Sequence, residues 1–284
     1  MNVVTEQFNN REIATGIWLL VALVLALYYK PTRKSFPYIF KAFLRWKILV
    51  VCLLMVVYVL LLTSGLKQAG FWDSSNHLKD TIIWTVTIAF VMVLNISDAT
   101  KKKNFFRKIV SDALKLTIVL EFIIGFYSFS LPMELVLIPF LFLLGALVAV
   151  ADMEQDYLPV KEVLTWLLTI IGLGLLWHST HNLLANADTF LTTERLIELT
   201  LPSILTLLFL HFVYFLALGT TSEIVFTSLK VRNHNSPLVG YAKRRIFLRF
   251  GFRLNKLVKW SRQHPNLKVN SKAEVLELVG KRDS

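Results

Sequence analysis

The chain has one cysteine in 284 residues, Cys52. An intramolecular disulfide is therefore impossible, and a cysteine-held metal cluster is excluded. Charge is scarce as well. Asp, Glu, Lys and Arg make up 18% of the residues against 55% hydrophobic ones, a balance that a soluble domain of this length does not strike. A glycine-rich phosphate loop, a zinc-type ligand spacing and a serine-nucleophile elbow are all missing, and no internal repeat is visible. The sharpest absence is local. Between Glu223 and Glu274 there is no acid, while Lys230, Arg232, Lys243, Arg244, Arg245, Arg249, Arg253, Lys256, Lys259, Arg262, Lys268 and Lys272 all fall there. Those twelve cations equal the whole net charge of +12, so the rest of the chain is neutral. The excess charge belongs to one surface.

What is present is a set of long apolar runs. A helix of ~20 apolar residues crosses a bilayer, and seven runs qualify: 13–29, 46–65, 80–97, 114–131, 133–151, 163–184 and 196–219. The sequence thus predicts an all-α fold: a polytopic transmembrane helix bundle of about seven spans over 1–219, followed by a basic helical cytoplasmic segment over 220–284. The fourth and fifth runs read as a tight hairpin around Leu131-Pro132-Met133-Glu134, with Pro132 stopping a helix; a re-entrant pair is the alternative. The first run has basic residues after it (Lys30, Arg33, Lys34) rather than before it, which does not fit a cleaved signal peptide.

The loops set the orientation. Residues 30–47 carry six Lys/Arg and 98–115 another six, whereas the opposite side has only Arg11, Lys67, Lys79 and Arg195. By the positive-inside rule the N-terminus is outside and the C-terminus cytoplasmic, as in a bacterial inner membrane. Trp72, Trp84, Trp166 and Trp177 fall near span ends, where interfacial belts place tryptophan.

Few residues inside the runs can carry chemistry. Glu121 is the one carboxylate clearly within a span, and an intramembrane acid faces the bundle interior, pairs or is protonated. His211 lies at a similar depth, about 12 Å from the cytoplasmic end of the last span against about 10 Å for Glu121. The two are candidates for a structural hydrogen bond or a gate. Thr200, Ser203, Thr206, His211, Tyr214 and Thr221 form a polar stripe on the last span, read either as tight helix packing or as the lining of a water-filled path. His178, His181 and His211 do not make a metal or haem site, because His211 stands some 10 Å away in depth; no metal and no cofactor are expected.

The stretch "GYAKRRIFLRFGFRLNKLVKWSRQ" (240–263) alternates cations with apolar residues. At helical spacing, Arg245, Arg249, Arg253, Lys256 and Lys259 share one face, and Ile246, Phe247, Phe250, Leu254, Leu257 and Val258 share another. Phe252 and Trp260 lie on or beside the basic face. Such a helix either lies on an anionic leaflet or offers Arg244, Arg245, Arg249, Arg253, Lys256 and Lys259 to the phosphates of a nucleic acid, with Phe252 and Trp260 stacking bases. Two shorter features are structural: a cytoplasmic amphipathic helix at 105–114, and a capping box at Ser271–Glu274 that opens a last helix.

The spans, the segments "FSLPMEL" and "ERLIELTLPSILTLLFLHFVYFLALGTTSEIVF", and the basic tail together give a plan that resembles the membrane effectors of bacterial anti-phage systems, the Hailong type among them. The resemblance implies a non-enzymatic homo-oligomer in the inner membrane. It also implies a channel controlled by a DNA oligomer or nucleotide signal that a cognate signal-synthesising protein makes. Beside the channel stand two other readings: a small-solute or ion transporter using Glu121 and His211, and a membrane-embedded lipid enzyme using Asp152, Glu154 and Asp156.

Overall fold

The computed structural model describes residues 8–101, 104–115, 128–185, 192–233, 236–264 and 267–280. Among them are twelve helices and no strand: α1 (Asn10–Tyr28), α2 (Lys30–Phe43), α3 (Trp46–Gln68), α4 (Ser74–Leu94, with a π-helical turn at Thr85–Ala89), α5 (Ile96–Lys101), α6 (Phe105–Ala113), α7 (Leu131–Ala151), α8 (Leu158–Ala185), α9 (Thr193–Arg232), α10 (Ser236–Phe250), α11 (Leu254–Gln263) and α12 (Lys272–Gly280). Six of these, α1, α3, α4, α7, α8 and α9, are long and apolar enough to cross a membrane. The expected fourth span, with Glu121, lies outside the described residues. Pro132 marks the start of a helix. It sits in the first turn of α7, where its missing N–H costs nothing; the helix it is expected to stop lies outside the described residues.

The chain divides into two compact units, Met1–Val51 with Lys115–Leu199 and Cys52–Leu114 with Thr200–Ser284. The C-terminal helices share a core with Ala217, Leu218, Val225 and Leu229 of α9.

In the first unit, polar ties fasten the start of α1 to the start of α7. Asn9 caps α1 in a reciprocal box with Glu12, accepting from the Glu12 N–H at 2.8 Å while its own N–H donates to Glu12 Oε2 at 2.9 Å. In the same turn, Arg11 Nε donates to both Glu134 carboxylate oxygens at 3.2 Å and Nη2 donates to Oε1 at 3.1 Å. The Glu134 side chain is wholly buried, and it also accepts the Phe129 backbone N–H at 3.0 Å. Pro139, inside α7, cannot donate to the carbonyl of Leu135. The Trp18 indole N–H donates to that carbonyl instead, at 2.9 Å. Ala14, with no exposed surface, is small enough to let the two helices close.

In the second unit α9 is the axis. Leu201, Leu205, Phe209, Val213, Ala217, Thr221, Val225 and Leu229 are all buried, every fourth residue. Each step of four advances about 40° around a helix, so the buried stripe winds through roughly 280°. The first half of the stripe meets α3 and α4. The Trp84 and Phe209 rings meet edge to face with centroids 5.6 Å apart, the Trp84 indole N–H donates to Thr206 Oγ1 at 3.0 Å, and Tyr58 donates to the Leu208 carbonyl at 3.1 Å. Trp84 is thus a core residue, 3% exposed, rather than part of an interfacial belt. The second half of the stripe meets α10–α12 in a core of Leu238, Val239, Ala242, Ile246, Phe250, Leu254, Leu257, Trp260, Val275 and Val279. Each such buried side chain contributes about 1.5–3 kcal/mol, so α10–α12 form a folded body, not a loose tail.

Candidate functional site

The body around α10 and α11 positions the cations. The expected single helix over 240–263 is two helices. Gly251 adopts φ +44°, the left-handed conformation that glycine tolerates best, and its N–H closes α10 onto the Phe247 carbonyl at 2.7 Å. Phe252 and Arg253 turn the chain, and α11 begins at Leu254. On either side of this break one set of apolar residues goes inward and the cations go outward, while Phe247, expected on the apolar face, is 58% exposed. Ile246, Phe250, Leu254 and Leu257 are at most 4% exposed, whereas Arg244, Arg245, Arg253, Lys256 and Lys259 are exposed. Arg249 is half-buried, its guanidinium 5.8 Å from the centre of the Phe250 ring. Arg244, Arg253, Lys256 and Lys259 have no ion-pair partner among the described residues. That leaves their charge available to an anion.

Two further residues, not expected from the sequence, belong to this site. Tyr241 receives Arg245 twice over, with the Arg245 Nε donating to its hydroxyl at 3.0 Å and the guanidinium 5.3 Å from its ring centre. Lys272, from the first turn of α12, lies 5.7 Å from the same ring centre. The spacing of four between Tyr241 and Arg245 was a usable signal; the approach of Lys272 was not. The Ser271 cap forms as expected, its Oγ accepting the Glu274 N–H at 3.1 Å, but the Glu274 carboxylate returns to the Asn270 N–H at 2.8 Å.

Trp260 does not offer a face to a base. It is 5% exposed, its indole N–H donates to the Leu278 carbonyl at 3.2 Å, and its ring packs between Phe250 and His264. The core it completes includes α12, which a helical wheel of 240–263 alone cannot show. Phe252 is 68% exposed, with its ring edge against Phe215 of α9 at 6.0 Å between centroids.

The polar stripe of α9 divides. Thr206 and Thr221 are buried inside the unit. Thr200 and His211 are exposed and Ser203 and Tyr214 half-buried. His211 lies about 200° round the helix from Phe209, so it points away from this unit's core, its Nδ1 3.1 Å from the Leu208 carbonyl. Tyr214 joins the two predicted sites. Its hydroxyl donates to the Phe252 carbonyl and accepts the Leu254 N–H at 3.2 Å, thereby closing the break between α10 and α11. The Leu254 N–H also donates to the Phe252 carbonyl at 3.2 Å, so the hydroxyl joins two groups that already meet.

Elsewhere the candidates are structural. His178 stacks on Phe129 with centroids 4.3 Å apart, and the described residues contain no cluster of three or more His, Cys, Asp or Glu able to hold a metal. Asp152 bonds Lys161 in an exposed turn.

Compared with protein-family models, with curated proteins and with solved structures, the chain matches none. Its class is defined by the helices alone: an all-α, membrane-embedded protein with six membrane-length helices among the described residues.

Proposed function

We propose that the chain is a non-enzymatic subunit of an oligomeric membrane channel whose state is set by a phosphate-rich ligand, a nucleotide or DNA oligomer, bound to the basic body. The observation that carries this reading is the Tyr214 junction. It places a residue of the last span in direct hydrogen bonding with the turn between the two basic helices. A ligand that moves α10 against α11 must therefore act on the last span. Arg245, Lys256 and Lys259 hold the phosphates, with Lys272 beside Arg245 on the Tyr241 ring. A polar side chain facing lipid is costly, so an exposed His211 in the middle of an apolar span favours a second copy or a water path on that face. Thr200, Ser203, His211 and Tyr214 flank that path. The resemblance to anti-phage effectors makes a DNA oligomer the leading ligand, a signal-synthesising protein the partner and the bacterial inner membrane the setting. The N-terminus lies outside and the basic body in the cytoplasm.

The test is binding of short fluorescent DNA and RNA oligomers to detergent-purified protein across a salt series. Wild type binds, and log K falls linearly with log salt. Each lost phosphate contact removes about 0.7 from that slope for a single strand, so Arg245→Ala/Lys256→Ala/Lys259→Ala flattens it by about 2. Equal binding and an equal slope in the triple variant overturn the assignment.

A further inference from the structure

The turn that Tyr214 holds is also the most apolar exposed part of the basic body. Phe252 is 68% exposed, Leu248, one turn earlier, 66%, and Phe247 58%. In a soluble body such residues are normally scattered singly, and a contiguous group marks a contact surface.

The depth of the turn along α9 identifies what it contacts. Between Glu198 and Glu223 the helix carries no Asp, Glu, Lys or Arg, and Thr220, Thr221 and Ser222 end the apolar run. The hydrocarbon core therefore ends near Gly219, which puts Phe215 about 6 Å inside it. Phe252 lies ring edge to ring against Phe215, and its carbonyl is held by Tyr214. Its depth is thus fixed at the boundary between acyl chains and headgroups. The same level carries a continuous row of rings, with centroids 5.3 Å apart for Phe105–Phe106, 5.7 Å for Phe106–Tyr214, 6.0 Å for Tyr214–Phe215 and 6.0 Å for Phe215–Phe252. Rows of aromatic rings at this depth are a mark of membrane interfaces. Arg253, adjoining Phe252, and Arg244, one turn before Leu248, are exposed cations flanking the apolar pair, as anionic headgroups require.

We propose that the α10–α11 turn is a bilayer-inserted tip: Phe252 and Leu248 enter the acyl–headgroup boundary of the leaflet that α9 leaves, and Arg253 and Arg244 meet its phosphates. The tip sets the basic body at a defined height on the membrane, so that Lys256, Lys259 and the Arg245–Tyr241–Lys272 group remain in water. This proposal requires only that α9 crosses a bilayer, and it stands or falls apart from oligomer binding.

The test uses the full chain in a Cys52→Ser background with one new cysteine, Phe252→Cys, Leu248→Cys or Leu276→Cys, each labelled with an environment-sensitive fluorophore and reconstituted in nanodiscs. Leu276, 46% exposed on α12, is the aqueous reference. With a shallow nitroxide lipid in the disc, labels at 252 and 248 emit to the blue and are quenched several-fold more than the label at 276. Equal, weak quenching at all three positions overturns the proposal. So does disulfide formation between copies at 252 without quenching, because a second copy then covers the patch. If Phe252→Cys fails to fold, Leu248→Cys carries the same expectation alone.

Discussion

Two of the long-range joints among the described residues are built oppositely. In the first unit Arg11 closes on a carboxylate with no exposed surface, a charged clasp with three N–H···O bonds from one side chain. In the second unit Tyr214 closes a turn through a single neutral hydroxyl bonded to two backbone groups. A buried charge is stable only while its counter-charge stays in place, so the first joint has one state. A hydroxyl that trades backbone partners for water forfeits far less, so the second can open. The difference separates a fastening from a hinge, and the cations cluster at the hinge.

The largest effect is expected at the fastening. Arg11→Met leaves Glu134 buried and unpaired and should cost about 3–5 kcal/mol, read as a lowered midpoint of thermal unfolding in detergent. Glu134→Gln leaves Arg11, whose side chain is 23% exposed, free to reach water, and should cost only about 1–2 kcal/mol. Equal losses would show that the pair is not the clasp. At the hinge, Tyr214→Phe removes both hydrogen bonds while keeping the ring, with a loss of about 1–3 kcal/mol. Its oligomer affinity should stay near wild type while the ligand's effect on conductance disappears; loss of affinity alongside would make Tyr214 part of the binding surface instead. The smallest effect is at Gly251. A Cβ there meets only the Phe247 carbonyl, at 3.8 Å, so Gly251→Ala carries chiefly the left-handed backbone penalty, about 1–2 kcal/mol. Circular dichroism and thermal unfolding of that variant check it.

The spans were legible because a bilayer demands length and the absence of charge, both local properties of a run such as Trp46–Gln68. The cap at Ser271 was legible for the same reason: its partner is three residues away. The break at Gly251 was missed because Ile246, Phe250, Leu254 and Leu257 keep helical spacing straight across it. The core they enter is built around α9 and α12, so both helices satisfy the same apolar rhythm with a turn between them. The isolated glycine was the signal, since a glycine inside a helical pattern marks a possible C-cap. The burial of Trp260 and the clasp of Arg11 on Glu134 depend on residues 18 and 123 positions away, and no periodicity reports those. Tyr214 and Phe252 were each read as functional, one for the pore and one for the ligand; that they bond to each other is a tertiary fact.

The most direct measurement is the conductance of the reconstituted protein in a planar bilayer, before and after a short DNA oligomer is added on the side of the C-terminal body. The account predicts a conductance that the oligomer changes in wild type, and that ignores the oligomer in Tyr214→Phe. A membrane that stays silent with and without oligomer, or a wild-type conductance indifferent to it, would contradict the account.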